Sequence, residues 1–219
     1  IAGGLAAAGI GSFVKQSISQ ASDLSESLNA LQVTYSDLGA GAIKELEGLG
    51  VGAANAYGLS QTAFNGFAVQ FSSFATSIAG PGGDVVGTLE SITGRAADFA
   101  NLEVADAAAI FQSGLAGETE PLKKFGIDLS AAAVTAYAAA NGIGEVGKQL
   151  TEQEKVQARY GSLMEQTAKT QGDFANTSDG LANAQRILKA NFENVQATVG
   201  GPLLGAFANL TTGLLPVVE

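Results

Sequence analysis

The amino-acid sequence predicts an all-α fold, a multi-helix bundle or stacked helical hairpins with glycine-rich hinges and no sheet. Apolar residues recur at spacings of three and four along most of the 219 residues, which is typical of helices with one packed face. No stretch alternates apolar with polar residues in a β-branched context, as a half-buried strand does. Because the chain is 46% hydrophobic but only 7% aromatic, with 29 Gly, mainly small side chains pack and helices can approach closely.

The first of three regions, residues 1–113, begins with a long heptad-like helix. We expect this helix to end at Gly39, because glycine readily adopts the conformation that closes a helix. A short helix over residues 42–48 and a flexible break over the glycines of residues 48–52 are expected to follow. The apolar face of the long helix consists of Ile10, Val14, Ser17, Ala21, Leu24, Leu28, Leu31, Tyr35 and Leu38.

The same region contains the heaviest apolar stripe of the chain, which favours a helix docked on other helices over a cofactor or lipid cleft. Gly80 to Gly83 should end that helix, and Asp84 should cap a helix over residues 85–100. Asn101 is the expected cap of a further helix over residues 103–113. The stripe consists of Tyr57, Phe64, Phe67, Phe71, Phe74 and Ile78.

The second region, residues 114–150, consists of a loop and short helices. Its loop over residues 117–121 leads into one helical turn at 122–125. An alanine-rich helix over residues 130–141 follows, since alanine has the highest helix propensity.

The third region, residues 151–219, is expected to hold a helical hairpin and an uncharged apolar C-terminal helix. Thr151 and Glu154 form a capping box for a helix that runs to about Thr170. Ser178 should cap the next helix, whose packed face consists of Leu181, Ala184, Leu188, Phe192, Val195 and Val199.

No charged residue occurs from Asn194 to Val218, a run long enough to cross a bilayer. Glycines and prolines interrupt this run, which favours a buried apolar helix from Pro202 to Leu215. The alternative is a segment that enters a membrane. Its contact residues are then expected to be Pro202, Leu203, Leu204, Phe207, Leu210, Leu214 and Leu215.

Composition argues against several classes of function. The net charge is −10 and the 11 basic residues are scattered, so no basic stripe is present to bind nucleic acid tightly. The absence of Cys and His removes the usual zinc ligands and imidazole catalysis. The pairs Glu118/Glu120 and Glu152/Glu154 lie at expected helix starts, where negative charge is favourable, so we interpret them as capping residues. We therefore expect no enzyme, no cofactor and no metal.

Two segments carry specific sequence, FQSGLAGETEPLKKFGIDLS over residues 111–130 and TQGDFANTSDGLANAQRILKANFENV over residues 170–195. Together they resemble the central region of tail-length tape measure proteins of long-tailed bacteriophages and prophages. One departure is Asp179-Gly180, where that family often has Ser-Leu-type residues.

The resemblance implies the central segment of a longer chain that lies in the tail lumen or at the tail tip. Such a protein sets tail length, nucleates tube assembly in the host cytoplasm and leaves ahead of the DNA at ejection. The implied partners are tail tube and tail tip proteins (distal tail and hub), further copies of the chain that match tail symmetry, and the host membrane on ejection. Lysis domains of the family would lie outside this segment.

The first segment holds the strongest candidate contact site for another tail component or another copy. An alternative interpretation is a turn that seats Phe125 and Ile127 on neighbouring helices and pairs its acids with its lysines. The candidate contact residues are Glu118, Glu120, Pro121, Lys123, Lys124 and Phe125.

A rival from another class is a membrane-active helical protein, either a pore former or a secreted amphipathic bundle. Its support is the uncharged run from Asn194 to Val218, the small apolar residues of 1–14 and the low aromatic content. Membrane leakage in the absence of any tail partner would distinguish this rival from a tape measure protein.

Overall fold

The computed structural model describes residues 2–145, 147–178 and 180–214, with side chains over 11–145, 147–178 and 180–205. The all-α prediction is confirmed, because these residues form ten α-helices and no strand. Two short 3-10 turns, Ser36–Leu38 and Ala168–Thr170, lie between helices. The helices are α1 (Ala2–Thr34), α2 (Gly39–Tyr57), α3 (Gln61–Ala79), α4 (Val85–Ala97), α5 (Val104–Ala116), α6 (Glu120–Lys123), α7 (Ala131–Ala140), α8 (Glu152–Gln166), α9 (Asp173–Asn176) and α10 (Leu181–Leu214).

The aromatic stripe of α3 lies at the centre of the core. Phe64, Phe67 and Phe71 are buried, and α3 packs against α1, α2, α4, α5 and α8. The prediction that this stripe docks on other helices is therefore confirmed. Tyr57, however, lies at the end of α2 rather than on α3. The chain turns between the two helices, because Gly58 adopts a left-handed conformation (φ 69°) and ends α2.

The expected flexible break over residues 48–52 is wrong. These glycines lie inside α2, which extends well beyond the expected short helix over 42–48. The physical reason is a close helix crossing: a Cβ on Gly50 would come within 3.1 Å of Asn65 Oδ1 and 3.2 Å of Phe64 Cδ1. Glycine here allows α2 and α3 to approach and does not interrupt the helix.

Two of the four predicted N-cap residues are confirmed. Of the two acidic pairs predicted to cap, Glu154 makes a cap hydrogen bond, whereas α6 has no side-chain cap from Glu118 or Glu120. The Asp84 carboxylate accepts a hydrogen bond from the Gly87 amide (2.8 Å), and Thr151 forms the full capping box with Glu154. Asn101 does not cap α5, because α5 begins only at Val104. Ser178 does not act as an acceptor at the start of α10. Its hydroxyl instead donates to the carbonyl of Ala175 (3.0 Å).

The long N-terminal helix ends before the expected Gly39, at Thr34, and a 3-10 turn links it to α2. The reason is a buried anchor that follows the helix. Tyr35 is 2% exposed and its hydroxyl donates to the carbonyl of Ala68 (2.5 Å). Burial raises the pKa of Tyr35 above its ordinary value, so the phenol stays protonated and keeps this hydrogen bond.

Helices α1 and α10 lie side by side and run in the same direction. Phe13 contacts Phe192 (ring centroids 6.3 Å apart), and Gln196 Nε2 donates to Gln16 Oε1 (3.3 Å). Further along both helices, Gly200 lies against Ser17. Contacts that advance together along both sequences establish the parallel orientation.

The sequence predicts an apolar helix that begins at Pro202, but no helix begins there, because α10 continues unbroken through Pro202. Gly200 is buried, and a Cβ at this position would overlap the backbone carbonyl of Ser17 and lie 3.0 Å from the Ala21 Cβ. The buried small residues Ser17 and Ala21 supply the matching surface on α1. Gly200 is therefore a packing residue rather than a break in the helix.

This contact predicts a difference between two adjacent glycines. We expect Gly200→Ala to lower the free energy of unfolding by about 1–3 kcal/mol, since the added methyl forces the α1 and α10 backbones apart. Gly201→Ala is the matched control: its Cβ would meet nothing within 4 Å. That change should be neutral or stabilising by up to about 1 kcal/mol through helix propensity. Urea unfolding followed by circular dichroism measures both, and equal effects would contradict the close contact.

Candidate functional site

A polar junction positions the start of the second distinctive segment. Arg95 at the end of α4 is buried and donates from one terminal nitrogen to the carbonyl of Thr167 (2.8 Å) and from the other to Gln171 Oε1 (3.3 Å). The Asp98 carboxylate accepts hydrogen bonds from the amides of Gly172 (2.6 Å) and Phe174 (2.9 Å). These bonds attach the segment between α8 and α10 to the C-terminal end of α4.

Sequence reasoning missed this junction, although a signal for it exists. Arg95 and Asp98 lie three residues apart on a helix whose neighbouring positions, Ile92, Ala96 and Phe99, are apolar and buried. Charged residues on an otherwise buried face need partners, because an unpaired buried charge is costly. Their partners lie more than 70 residues away in the sequence, so the pattern does not identify them.

A cleft of about 520 Å³ borders this junction. Tyr57, Ser91, Arg95 and Tyr160 line it together with Glu90. Burial raises the pKa of both tyrosines above the ordinary value, so at neutral pH they are hydrogen-bonding phenols and not bases. Among the described residues, no group of three or more Asp, Glu, His or Cys side chains is arranged to hold a metal ion.

The segment over residues 111–130 folds as a fixed turn between α5 and α7. Leu122 and Ile127 are buried in the core. A Cβ on Gly114 would overlap the Leu122 side chain, so glycine allows α6 to pack directly on α5. Phe125 remains 40% exposed, and its ring contacts Phe99 with centroids 4.9 Å apart.

The six predicted contact residues of this segment lie close together on the surface. Pro121 is partly buried in α6, whereas the other five are exposed. Lys123 forms an exposed ion pair with Glu120 (2.5 Å), which contributes little to stability because water screens it. The alternative interpretation, a local turn, is met in part: Ile127 is buried and Glu120 pairs with Lys123, whereas Phe125 stays exposed. A role in partner contact stays a prediction.

The predicted packed face of α10 is wrong. The buried positions of this helix include Asn183, Ala190, Gln196, Ala197 and Gly200, and they form the opposite face. The large apolar residues point outward because the small ones allow closer contact with α1. We call this surface the α10 stripe: Leu181 (76% exposed), Leu188 (70%), Phe192 (52%), Val195 (53%) and Val199 (43%).

The predicted membrane-contact residues are only partly described. Pro202 is exposed, whereas Leu203 and Leu204 are half-buried. The side chains of Phe207, Leu210 and Leu214, and all of Leu215, lie outside the described residues. Within the residues described, no helix combines the length and the hydropathy that crossing a membrane requires.

Comparisons with protein-family models, with curated proteins and with solved structures found no match to this chain. Any assignment of function therefore depends on the residues and geometry described above.

The junction predicts a large effect of Asp98→Ala. The change removes the acceptor of two amides, of which the Phe174 amide is buried. We expect a loss of about 3 kcal/mol in the free energy of unfolding, since buried unpaired donors are costly. The exposed Asp23 in α1 provides the control, because Asp23→Ala should change stability by less than about 0.5 kcal/mol. Thermal unfolding measures both, and similar values for the two variants would contradict the role of Asp98.

Proposed function

We propose that this chain is a helical segment of a tail-length tape measure protein and acts as a structural interaction module, not as an enzyme. The segments over residues 111–130 and 170–195 support this proposal by their resemblance to that family. The all-α fold is compatible with it. The observation that carries the proposal is the α10 stripe, which gives the segment an uncovered apolar surface for assembly.

The α10 stripe has the spacing of a helix-pairing surface. From Leu188 to Val199 the apolar residues follow one another at intervals of four, three and four, the pattern of a heptad repeat. Their exposed area is on the order of 300–500 Å², and patches of this size on single chains are often functional. A partner helix laid along α10 would remove this surface from water.

We propose that the partner is a second copy of the chain. Two copies that each carry a net charge of −10 repel, so they must meet where the surface is neutral. Between Leu188 and Val199 the only charged residues are Lys189 and Glu193, which cancel. The α10 stripe therefore allows copies to associate without charge repulsion, and further copies can match the symmetry of the tail.

The fold also limits how this segment could serve as a ruler. One continuous helix of 219 residues would be about 330 Å long. The longest helices, α1 and α10, have 33 and 34 residues and each spans about 50 Å. We therefore propose a folded block near the tail tip that contacts tube, distal tail and hub proteins, with the predicted contact residues around Phe125 available to them.

Self-association through the α10 stripe is testable with matched variants. We expect the double change Leu188→Gln and Phe192→Gln to abolish oligomers, because it replaces the two central apolar residues with polar ones. Val51→Gln is the control, since Val51 is equally exposed (67%) but lies on α2. Sedimentation velocity should show oligomers for the wild type and this control only. A wild-type chain that stays monomeric at about 100 μM would exclude the second copy as the partner.

The ruler function is testable in a phage or prophage whose tail gene carries this segment. In-frame deletion of the segment should give shorter tails in electron micrographs, or no tails if tube nucleation fails. A point variant such as Gly201→Ala serves as the control and should leave tail length unchanged. Tails of normal length after the deletion would contradict the proposal. Strong leakage of liposomes caused by the isolated segment alone would instead favour the membrane-active rival.

A further inference from the structure

A second cleft, of about 720 Å³, lies between the turn that follows α5 and the first turns of α7 and α8. We call it the basic cleft, because its charged residues are all cations. Its wall consists of Gly117, Thr119, Leu129, Ser130, Ala131, Val134, Thr135, Lys148, Gln149, Leu150, Lys155 and Arg159.

The charge of this wall is opposite to that of the whole chain. The chain has 21 acidic and 11 basic residues, yet the wall contains three basic side chains and, among its described residues, no Asp or Glu. Lys155 and Arg159 lie four residues apart on α8, a spacing at which like charges repel. The exposed Glu152 pairs with Lys155 and offsets part of this repulsion, and an anion between the two cations would relieve more of it.

The Arg159 guanidinium lies at the floor of the basic cleft, in space that Gly117 leaves open. Its guanidinium donates to the carbonyl of Leu115 (3.0 Å) at the end of α5. Gly117 adopts a left-handed conformation (φ 105°), and a Cβ there would lie 2.8 Å from a terminal nitrogen of Arg159. A side chain at this position would displace the guanidinium, so glycine keeps it in place.

The cations are only weakly neutralised by the protein. Lys148 and Lys155 form pairs with Glu145 (2.5 Å) and Glu152 (2.7 Å), and both acids are largely exposed to water. Such pairs contribute little and break readily. Within the described residues, no carboxylate lies within 4.0 Å of Arg159. Among the described residues, the guanidinium donates only to the Leu115 carbonyl, which leaves further N–H groups for a ligand.

The rest of the wall suits an apolar body with an anionic end. Leu129, Val134 and Leu150 provide apolar surface. Ser130 caps α7, a helix of ten residues: its amide donates to the exposed Asp128 carboxylate (2.8 Å), and its hydroxyl accepts from the Ala133 amide (3.3 Å). The amides of the first turn favour further negative charge. The cleft therefore presents positive charge on one side and aliphatic side chains on the other.

We propose that the basic cleft binds a small organic anion, with a carboxylate or phosphate group held by Arg159 and Lys155 and an apolar body against Leu129, Val134 and Leu150. Arg159 provides parallel N–H donors that match either oxyanion, and Lys148 adds charge at the mouth. This site would give the folded block a bound small molecule in addition to its helix contacts.

The experiment is a titration of the ¹⁵N-labelled chain with phenyl phosphate, phenylacetate and neutral benzyl alcohol. At least one of the two anions should give saturable shifts at the amides of Gly117 and Ala131, with a dissociation constant below about 10 mM. The anion that binds more tightly shows whether the site prefers a phosphate or a carboxylate group. Benzyl alcohol should bind at least about tenfold more weakly, because it lacks the charge.

Variants locate the site. Lys155→Gln keeps the capping box of α8 and should weaken binding of the preferred anion about tenfold. Arg159→Gln should weaken it at least as much. Lys44→Gln, on an exposed lysine of α2 outside the cleft, should leave binding unchanged. Any of three results would overturn the proposal: neither anion gives saturable shifts, benzyl alcohol binds as tightly as the anions, or Lys155→Gln binds the preferred anion as tightly as the wild type does.

Discussion

At least four glycines lie inside helices where a neighbouring helix occupies the space that a Cβ would need, and one of them is Gly161 of α8, which faces Tyr137 of α7. Gly50 of α2 faces Phe64, Gly114 of α5 faces Leu122, and Gly200 of α10 lies on the backbone of Ser17. Around the aromatic core of α3, the bundle gains further contacts by bringing backbones close together at these glycines. The packing of α2 on α3, α6 on α5, and α10 on α1 depends on this constraint.

The same constraint determines which face of α10 is free. A helix with small residues on one face and large apolar residues on the other can bury either face. Close contact at Gly200 places the small face on α1, so Leu188 and Val195 remain outside. Phe192 touches Phe13 of α1 at the edge of this contact and stays half exposed. Assembly of the chain with other helices would then follow from the packing within it, since the residues left over are those best suited to a helix partner.

Several buried and half-buried charged residues of this chain bind backbone groups and do not pack against apolar side chains alone. Arg95 donates to the Thr167 carbonyl and to the Gln171 side chain, and Asp98 accepts from the amides of Gly172 and Phe174. These bonds hold the start of the last helices in place. Arg159 also donates to a backbone carbonyl, and within the part of the chain that the structure describes its other N–H groups have no acceptor.

The sequence by itself determined the fold class, the central aromatic helix α3, and the caps at Asp84 and Thr151. These features depend on periodicity and on contacts within about four residues, which the order of residues specifies directly. It also marked the segment over residues 111–130, part of which lines the basic cleft. Only the tertiary structure decided the rest: the glycines of residues 48–52 and 200–202 join helices instead of breaking them, and the apolar face of α10 lies outward. The reason is that a glycine or an apolar stripe has the same local pattern whether or not a neighbour covers it, and the neighbour comes from a distant part of the chain.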